Sequence, residues 1–256
     1  MNSYSQLAEM LTAAAPSTLP SLEVLAGRAG QFAAMFQSYF RRARVRPRGV
    51  IHLGGNIGND LVAWFMLGAE KLLVVEPNPS LHEQLARHVD FMNLVRQTVD
   101  GLLGMPSAEW IRIAKVGVGD ADGSAVLHIP ASGDHENAST LGIPARVREV
   151  QTVTVPIRKV DSIMAELASG WPPEDFNVLY ANIEGAELLA LKGARQTLKH
   201  IDFAYIEANT GPNFPGCPAP EDLIAFLADF GLQPFFRIGG EVRDTEYHVY
   251  SRLPAR

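Results

Sequence analysis

The spacing of apolar residues divides the chain into a helical N-terminal part and a longer part in which strands and helices alternate. Residues 4–15 and 21–46 are predicted as helices, because apolar side chains recur at spacings near three and four in the second segment. The pattern changes at residue 49. We therefore expect an N-terminal helical cap over residues 1–48 and one domain over residues 49–256.

From residue 49 onward, short apolar runs alternate with amphipathic segments. The runs predicted as strands are 50–54, 72–77, 110–118, 178–183 and 203–208. The segments predicted as helices are 59–69, 80–95 and 186–198. This alternation is typical of an α/β fold in which helices cover both faces of a parallel sheet.

Two further features add antiparallel strands to this sheet. Residues 125–129 and 152–157 read as an added pair, separated by a polar segment, 130–150, that we expect to be a loop. Two apolar runs flank Gly239 and Gly240, which predicts a C-terminal hairpin. The expected fold is a doubly wound, Rossmann-like, seven-stranded and mostly parallel sheet that ends in this antiparallel hairpin.

A glycine-rich turn follows the first strand of the domain. His52-Leu53-Gly54-Gly55-Asn56-Ile57-Gly58 leaves a predicted strand and enters a predicted helix, and glycines allow the backbone to turn tightly beside a ligand. Glu76 ends the second strand, 22 positions after Gly54, where a carboxylate binds both hydroxyls of a ribose. A dinucleotide fingerprint needs glycine where this chain has Asn56 and Asn59. A cofactor with an adenosine ribose and no pyrophosphate fits better, and S-adenosylmethionine is the obvious candidate.

Several motifs together resemble one family, the FkbM-type methyltransferases. Its pattern Asp-x-Gly-Ala-Asn-x-Gly is similar to residues 52–58, and its Glu-Pro pair matches Glu76-Pro77. Its other motifs are similar to Gly119–Gly123, Ala138–Leu141, Val160-Asp161 and Tyr180–Glu187. The resemblance covers about residues 49–210, whereas the first 48 residues match nothing that we can name.

The resemblance implies an S-adenosylmethionine-dependent transfer of a methyl group to an oxygen of a small acceptor, such as a sugar or natural-product hydroxyl. The residues it implies for cofactor binding are His52, Gly54, Gly55, Asn56, Gly58, Glu76, Pro77, Val118 and Asn182. The helical cap and the polar segment 130–150 are candidates for a lid over the acceptor, which would exclude water.

Three positions depart from the family pattern. His52 and Asn182 each replace an acid, and Tyr180 replaces a lysine. Asparagine and neutral histidine keep hydrogen bonding but supply no negative charge. The alternative function is therefore a nucleotide-binding module that has lost catalysis.

A hydroxyl acceptor needs its proton removed, and the candidate catalytic residues are Glu184, Glu207 and His248. One account is free of metal, with Glu184 or His248 as the general base. The other places a magnesium-type ion among Asn182, Glu184, Glu207 and Asn209, because hard oxygen ligands suit that ion. Competing readings make His248 a packed strand residue, Asp161 a helix N-cap, and Glu187 a partner of its helix dipole.

The charge of the chain bears on whether it binds nucleic acid. The chain has 22 basic and 28 acidic residues, which gives a net charge of −6 and argues against a global nucleic-acid surface. Five arginines between Arg41 and Arg48 leave open an RNA methyltransferase, although a solvated helix end explains them as well.

Cys217 is the only cysteine, and we see no signal peptide and no membrane-spanning run, so a cytoplasmic protein is expected. A small-molecule acceptor is the expected partner, and a homo-oligomer is compatible with the sequence.

Overall fold

The computed structural model describes residues 22–106, 108–131, 138–142, 150–210, 214–239 and 245–252. The helix predicted at residues 4–15 lies outside these ranges, as does much of the polar segment between residues 130 and 150. The described helices are α1 Leu22–Ala43, α2 Leu61–Met66, α3 His82–Leu102, α4 Val160–Leu167, α5 Glu187–Lys192 and α6 Pro220–Ala228. One-turn 3-10 helices occur at Pro79–Leu81, Pro173–Asp175 and Thr197–Lys199.

Ten strands are described, and seven of them form the main sheet. The strands are β1 Gly49–Leu53, β2 Lys71–Val75, β3 Ile111–Ala114, β4 Gly117–Val118, β5 Gly123–Pro130, β6 Val150–Arg158, β7 Phe176–Ala181, β8 Phe203–Asn209, β9 Leu232–Gly239 and β10 Thr245–Arg252. The main sheet has the order β3-β2-β1-β7-β8-β10-β9. Its first five strands are parallel, and β10 is antiparallel to both β8 and β9. The predicted fold class is therefore confirmed, and the strand order reverses between β1 and β7.

A second, three-stranded sheet has the order β4-β6-β5. The antiparallel pair predicted from the sequence is confirmed as β5 and β6. The single strand predicted over residues 110–118 is wrong, because β3 stays in the main sheet while β4 pairs with β6. Gly117 allows this exchange, since a Cβ atom there would lie 2.6 Å from the side chain of Ile157.

Two apolar clusters lie on opposite faces of the main sheet. Side chains of β1 alternate between them, with Ile51 and Leu53 in one cluster and Val50 in the other. The first cluster packs against α4, α5 and α6, and the second against α1, α2 and α3. Phe36 of α1 is fully buried in the second cluster, 4.8 Å from Tyr205 between ring centroids. Helix α1 therefore contributes to the core of the sheet, while the division of the chain at residue 49 stays a prediction.

Some helix bounds differ from the prediction. Helix α2 is shorter than predicted, because a turn with Gly68 in the left-handed region (φ 77) follows it. Asp161 is not the N-cap of α4, since Lys159 occupies that position. The Asp161 carboxylate instead accepts hydrogen bonds from the backbone of Gln196 and Thr197, which ties α4 to the segment after α5. No helix within the described ranges is long and apolar enough to cross a membrane.

Candidate active site

An open cavity of about 280 Å³ lies where β1, β2, β7 and β8 end. This is the edge at which ligands bind in doubly wound sheets, at the point where the strand order reverses. The side toward β2, here called the β2 side, is lined by Gly54, Gly55, Asn56, Val75, Glu76, Pro77, Val116, Gly117 and Val118. The side toward β8, here called the β8 side, is lined by Asn59, Asp60, Tyr180, Asn182, Ile183, Glu184, Ala186, Glu207 and Tyr247. Leu127, Ala138 and Thr140 of the second sheet and its neighbouring segment complete the lining.

Glu76 anchors the β2 side. Its side chain is 6% exposed, and its two oxygens accept hydrogen bonds from the backbone N–H groups of Asn56 and Asn78, each at 2.8 Å. Burial raises the pKa of Glu76, and these hydrogen bonds oppose that shift. A carboxylate oxygen accepts more than one hydrogen bond, so both oxygens retain the capacity to accept from two ribose hydroxyls.

The glycine turn is held in place by neighbouring strands of the main sheet. The N–H groups of Gly54 and Gly55 both donate to the carbonyl of Val75 at 3.0 Å. A Cβ atom on Gly54 would overlap the carbonyl oxygen of Asn182, and one on Gly55 would overlap Val74. Packing between strands therefore already requires glycine here. Gly58 does not line the cavity, and its positive φ of 88° belongs to the turn before α2.

His52 is buried beneath the cavity and does not line it. Its Nδ1 accepts a hydrogen bond from Trp64 Nε1 at 2.9 Å, and burial lowers the pKa of His52 to about 4. The ring is therefore neutral at physiological pH and carries its proton on Nε2. The acid that does line the cavity nearby is Asp60, whose Oδ2 is 3.9 Å from His52 Nε2. The sequence interpretation missed Asp60, although its position just before α2 and after the glycine turn was a usable signal.

Two of the departures from the family pattern are direct neighbours. His52 pairs with Tyr180 in the β1–β7 register, and their ring centroids are 4.3 Å apart. Where the family pattern has an acid and a lysine, this chain has two neutral rings. The exchange removes one negative and one positive charge together, so it leaves the local charge balanced. At Asn182 a negative charge is lost relative to the family pattern, and no positive charge is lost with it. The buried Oδ1 of Asn182 has no hydrogen-bond partner within the described part of the chain.

Aromatic rings and carboxylates form the β8 side. Tyr180, Tyr205 and Tyr247 are stacked in a row, with centroid separations of 5.4 and 5.2 Å. Burial holds the pKa of Tyr180 and Tyr205 well above the usual range, so their hydroxyls stay protonated. Glu207 is 6% exposed and, like Glu184, lines the cavity beside this row.

The turn after β7 is held by a buried carboxylate. Oε1 of Glu187 accepts hydrogen bonds from the N–H groups of Ile183 at 3.0 Å and Gly185 at 3.3 Å. Burial raises the pKa of Glu187 to about 7, and the nearby Glu207 charge contributes to that shift. The sequence favours a helix-dipole partner in Glu187, and these two hydrogen bonds give it a more specific role in holding the turn.

His248 lies outside the cavity lining, on the opposite face of β10 from Tyr247. It is buried, with Nε2 2.9 Å from Glu246 Oε2 and Nδ1 3.3 Å from the hydroxyl of Tyr250. This placement agrees with the packed strand residue considered from the sequence. A direct catalytic role for His248 stays a prediction that this geometry does not favour.

The magnesium site considered from the sequence has only a partial counterpart. Asn182, Glu184 and Glu207 line the same cavity, whereas Asn209 is buried and does not line it. Across the described ranges, no group of three or more His, Cys, Asp and Glu side chains is arranged to hold a metal ion.

Solved structures of methyltransferases are among the proteins to which this chain is similar. The chain is similar to magnesium protoporphyrin IX methyltransferase of Synechocystis PCC 6803 with bound SAM, with 7% identity and a TM-score of 0.43 over 97% of this chain and 90% of that chain. It is also similar to ribosomal protein L11 methylase of Lactobacillus delbrueckii subsp. bulgaricus, with 15% identity and a TM-score of 0.41 over 88% of this chain and 79% of that chain. The sequence comparison with curated proteins finds no match. The methyltransferase FkbM domain matches residues 52–234, more than half of the chain, and the chain therefore belongs to the FkbM methyltransferase family.

Proposed function

We propose that this protein transfers the methyl group of S-adenosylmethionine to a hydroxyl oxygen of a small, uncharged acceptor such as a sugar or natural product. The observation that carries the proposal is the division of one cavity into two sides. The β2 side presents the Glu76 carboxylate beside a glycine turn, and the β8 side presents carboxylates beside tyrosines. The first arrangement suits an adenosine ribose. The second suits a methyl acceptor whose hydroxyl group donates a hydrogen bond.

The β2 side has the groups that S-adenosylmethionine requires. Glu76 would accept from the ribose hydroxyls, while Pro77 and Val118 provide apolar surface for the adenine. Asn182 lines the cavity, and its side-chain amide would form a hydrogen bond with the cofactor's amino-acid group, so this asparagine keeps a binding role without the family's negative charge. When bound, S-adenosylmethionine supplies a methyl group that is already strongly electrophilic. The protein therefore mainly has to orient the two reactants.

The β8 side indicates the charge of the acceptor. Its carboxylates are Asp60, Glu184 and Glu207, and none of the described lining residues is lysine or arginine. Phosphate and carboxylate groups would be repelled here, whereas hydroxyl groups can donate hydrogen bonds to these acids. Glu184 or Glu207 would accept the acceptor's proton, because both line the cavity and His248 does not.

Cofactor binding and turnover test the proposal separately. Calorimetry with S-adenosylmethionine and S-adenosylhomocysteine should give saturable binding that is much weaker in the Glu76→Ala variant. The exposed Glu83→Ala variant, on α3, is the matched control. Extracts of the source cells, incubated with the protein and isotopically labelled S-adenosylmethionine, should yield a product heavier by one labelled methyl group. Absence of cofactor binding would refute the proposal.

The turnover arm separates the proposal from a nucleotide-binding module without catalysis. Such a module would bind the cofactor and give no labelled product. Paired replacement of charges at positions 52 and 180 argues against a decayed site, because decay does not require that both charges disappear together. Exhaustive chelation during the same assay addresses the magnesium account: loss of turnover in chelator and its return with magnesium would support the ion.

The RNA methyltransferase alternative rests on arginines that lie away from the cavity. No residue of α1 and none of the arginines from Arg41 to Arg48 is among the described lining residues. Arg41 and Arg42 occupy the last turn of α1, and Arg46 forms an exposed ion pair with Glu70. Salt-sensitive RNA binding would revive this alternative. A small-molecule partner, a cytoplasmic location and a homo-oligomer stay predictions.

A further inference from the structure

The turn between β7 and α5 brings Glu184 to the cavity in a backbone conformation that glutamate rarely adopts. Its φ is 55°, in the left-handed region that favours glycine. Such a conformation persists only where the surrounding structure enforces it. We propose that Glu187 and Ser139 are positioning residues that enforce it and thereby hold the Glu184 carboxylate at the acceptor side of the cavity. The inference rests on the proposed function, in which Glu184 faces the acceptor.

Glu187 holds the turn from the side of α5. It is 1% exposed, and its Oε1 accepts hydrogen bonds from the N–H groups of both residues that flank Glu184, namely Ile183 and Gly185. Buried N–H groups that lose their acceptor are costly, so the turn keeps its shape while Glu187 is present. Both bonds go to one oxygen, which remains an acceptor whether the carboxyl group is ionised or protonated. A glutamine at this position would therefore preserve them.

Ser139 holds the same turn from the side of the second sheet. Its hydroxyl donates to the carbonyl of Glu184 at 2.7 Å and accepts from the N–H of Leu141 at 3.1 Å. Its backbone pairs with that of His128 in β5 through bonds of 2.9 and 3.0 Å. Ser139 thus connects Glu184 to β5, and its neighbours Ala138 and Thr140 line the cavity.

The turn is closely packed at Gly185. A Cβ atom there would lie 3.1 Å from Cβ of Phe214 and 3.3 Å from Leu141. The peptide after Glu184 is therefore enclosed between the Ser139 segment and the chain around Phe214. Glu187, Ser139 and the close packing at Gly185 therefore constrain the backbone from which the Glu184 side chain projects.

Four variants test the proposal: Glu187→Ala, Glu187→Gln, Ser139→Ala and the control Glu221→Ala, which removes an exposed glutamate from α6. Backbone chemical shifts of Glu184 in the ligand-free protein report the sign of its φ. Calorimetry with S-adenosylhomocysteine reports the cavity wall formed by Asn182 and Ile183. In Glu187→Ala we expect Glu184 to lose its left-handed signature and affinity to fall about tenfold, since small misplacements in a site have large effects. The affinity of Ser139→Ala for S-adenosylhomocysteine should fall about threefold. The affinities of Glu187→Gln and Glu221→Ala should stay within about twofold of wild type.

Two results would overturn the proposal. One is a Glu184 that keeps a positive φ in both alanine variants, and the other is a glutamine variant as impaired as Glu187→Ala. If Glu187→Ala does not fold, Ser139→Ala and Glu187→Gln still decide the question. If the wild-type protein does not bind S-adenosylhomocysteine, the proposed function fails, whereas the chemical shifts of Glu184 continue to test the positioning role.

Discussion

The two sides of the cavity are built in different ways. The β2 side is held by backbone groups: Glu76 is fixed by two N–H donors, and the glycine turn is fixed by the carbonyls of Val75 and Asn182. The β8 side is assembled from side chains of separate strands, with Tyr180, Glu207 and Tyr247 on β7, β8 and β10. The β2 side tolerates few substitutions, because they disturb the backbone contacts that hold it. Substitutions on the β8 side can change which acceptor the protein binds without changing the fold.

Because the β2 side is held by backbone contacts, a substitution in its glycine turn should cause the largest loss of stability. Gly54→Val should destabilise the protein by more than about 4 kcal/mol, because its φ of 88° disfavours any side chain and the new atoms would overlap Asn182. Chemical denaturation should show the loss directly. Gly123→Ala, where nothing lies within 4 Å of the added atom, is the control and should stay near wild type.

The paired exchange at positions 52 and 180 gives the next effect. His52→Asp alone would bury a carboxylate beside a neutral ring, and we expect a loss of about 3 kcal/mol. Tyr180→Lys alone should be similarly damaging. If the two positions act as a charge pair in the family, the double variant should recover at least about 1 kcal/mol relative to the sum of the single changes. Strictly additive losses in a double-mutant cycle would contradict the pairing.

Removal of Glu76 should affect binding and, less strongly, folding. Glu76→Ala deletes the acceptor for the ribose hydroxyls, and we expect affinity for S-adenosylhomocysteine to weaken by about 2–3 kcal/mol. It also leaves the N–H groups of Asn56 and Asn78 without their acceptor, so stability should fall by about 1–2 kcal/mol. Unchanged affinity measured by calorimetry would remove Glu76 from the cofactor site.

The smallest effect is a pH dependence that belongs to Glu187. Burial raises its pKa from 4.5 to about 7, so the folded state binds more protons than the unfolded state in this range. Stability is therefore lost as pH rises from about 4.5 through 7, and the loss between pH 5.5 and pH 8 should be about 2 kcal/mol. Glu187→Gln lacks this titration. Denaturation at the two pH values should show that the difference between variant and wild type moves by that amount in favour of the variant, and parallel pH profiles would contradict the shifted pKa.

The sequence determined the order of strands and helices, the glycine turn and the position of Glu76. These features are local: a strand, a turn and a helix follow one another within a few residues, and their periodicity and glycines encode them directly. The antiparallel end of the sheet was also predictable, because two apolar runs flank paired glycines. Since ligands bind at the carboxyl ends of parallel strands, the place of the cavity followed from the strand order.

Only the tertiary structure decided which polar residues reach the cavity. His52 is buried against Trp64 and does not line the cavity, whereas the nearby Asp60 does. His248 and Tyr247 are adjacent in sequence, yet the pleat of β10 turns them to opposite faces of the sheet. Glu187 acquired its role through the turn that folds back onto it. Such outcomes depend on strand register and burial, which arise from contacts between distant segments and so leave no local pattern in the sequence.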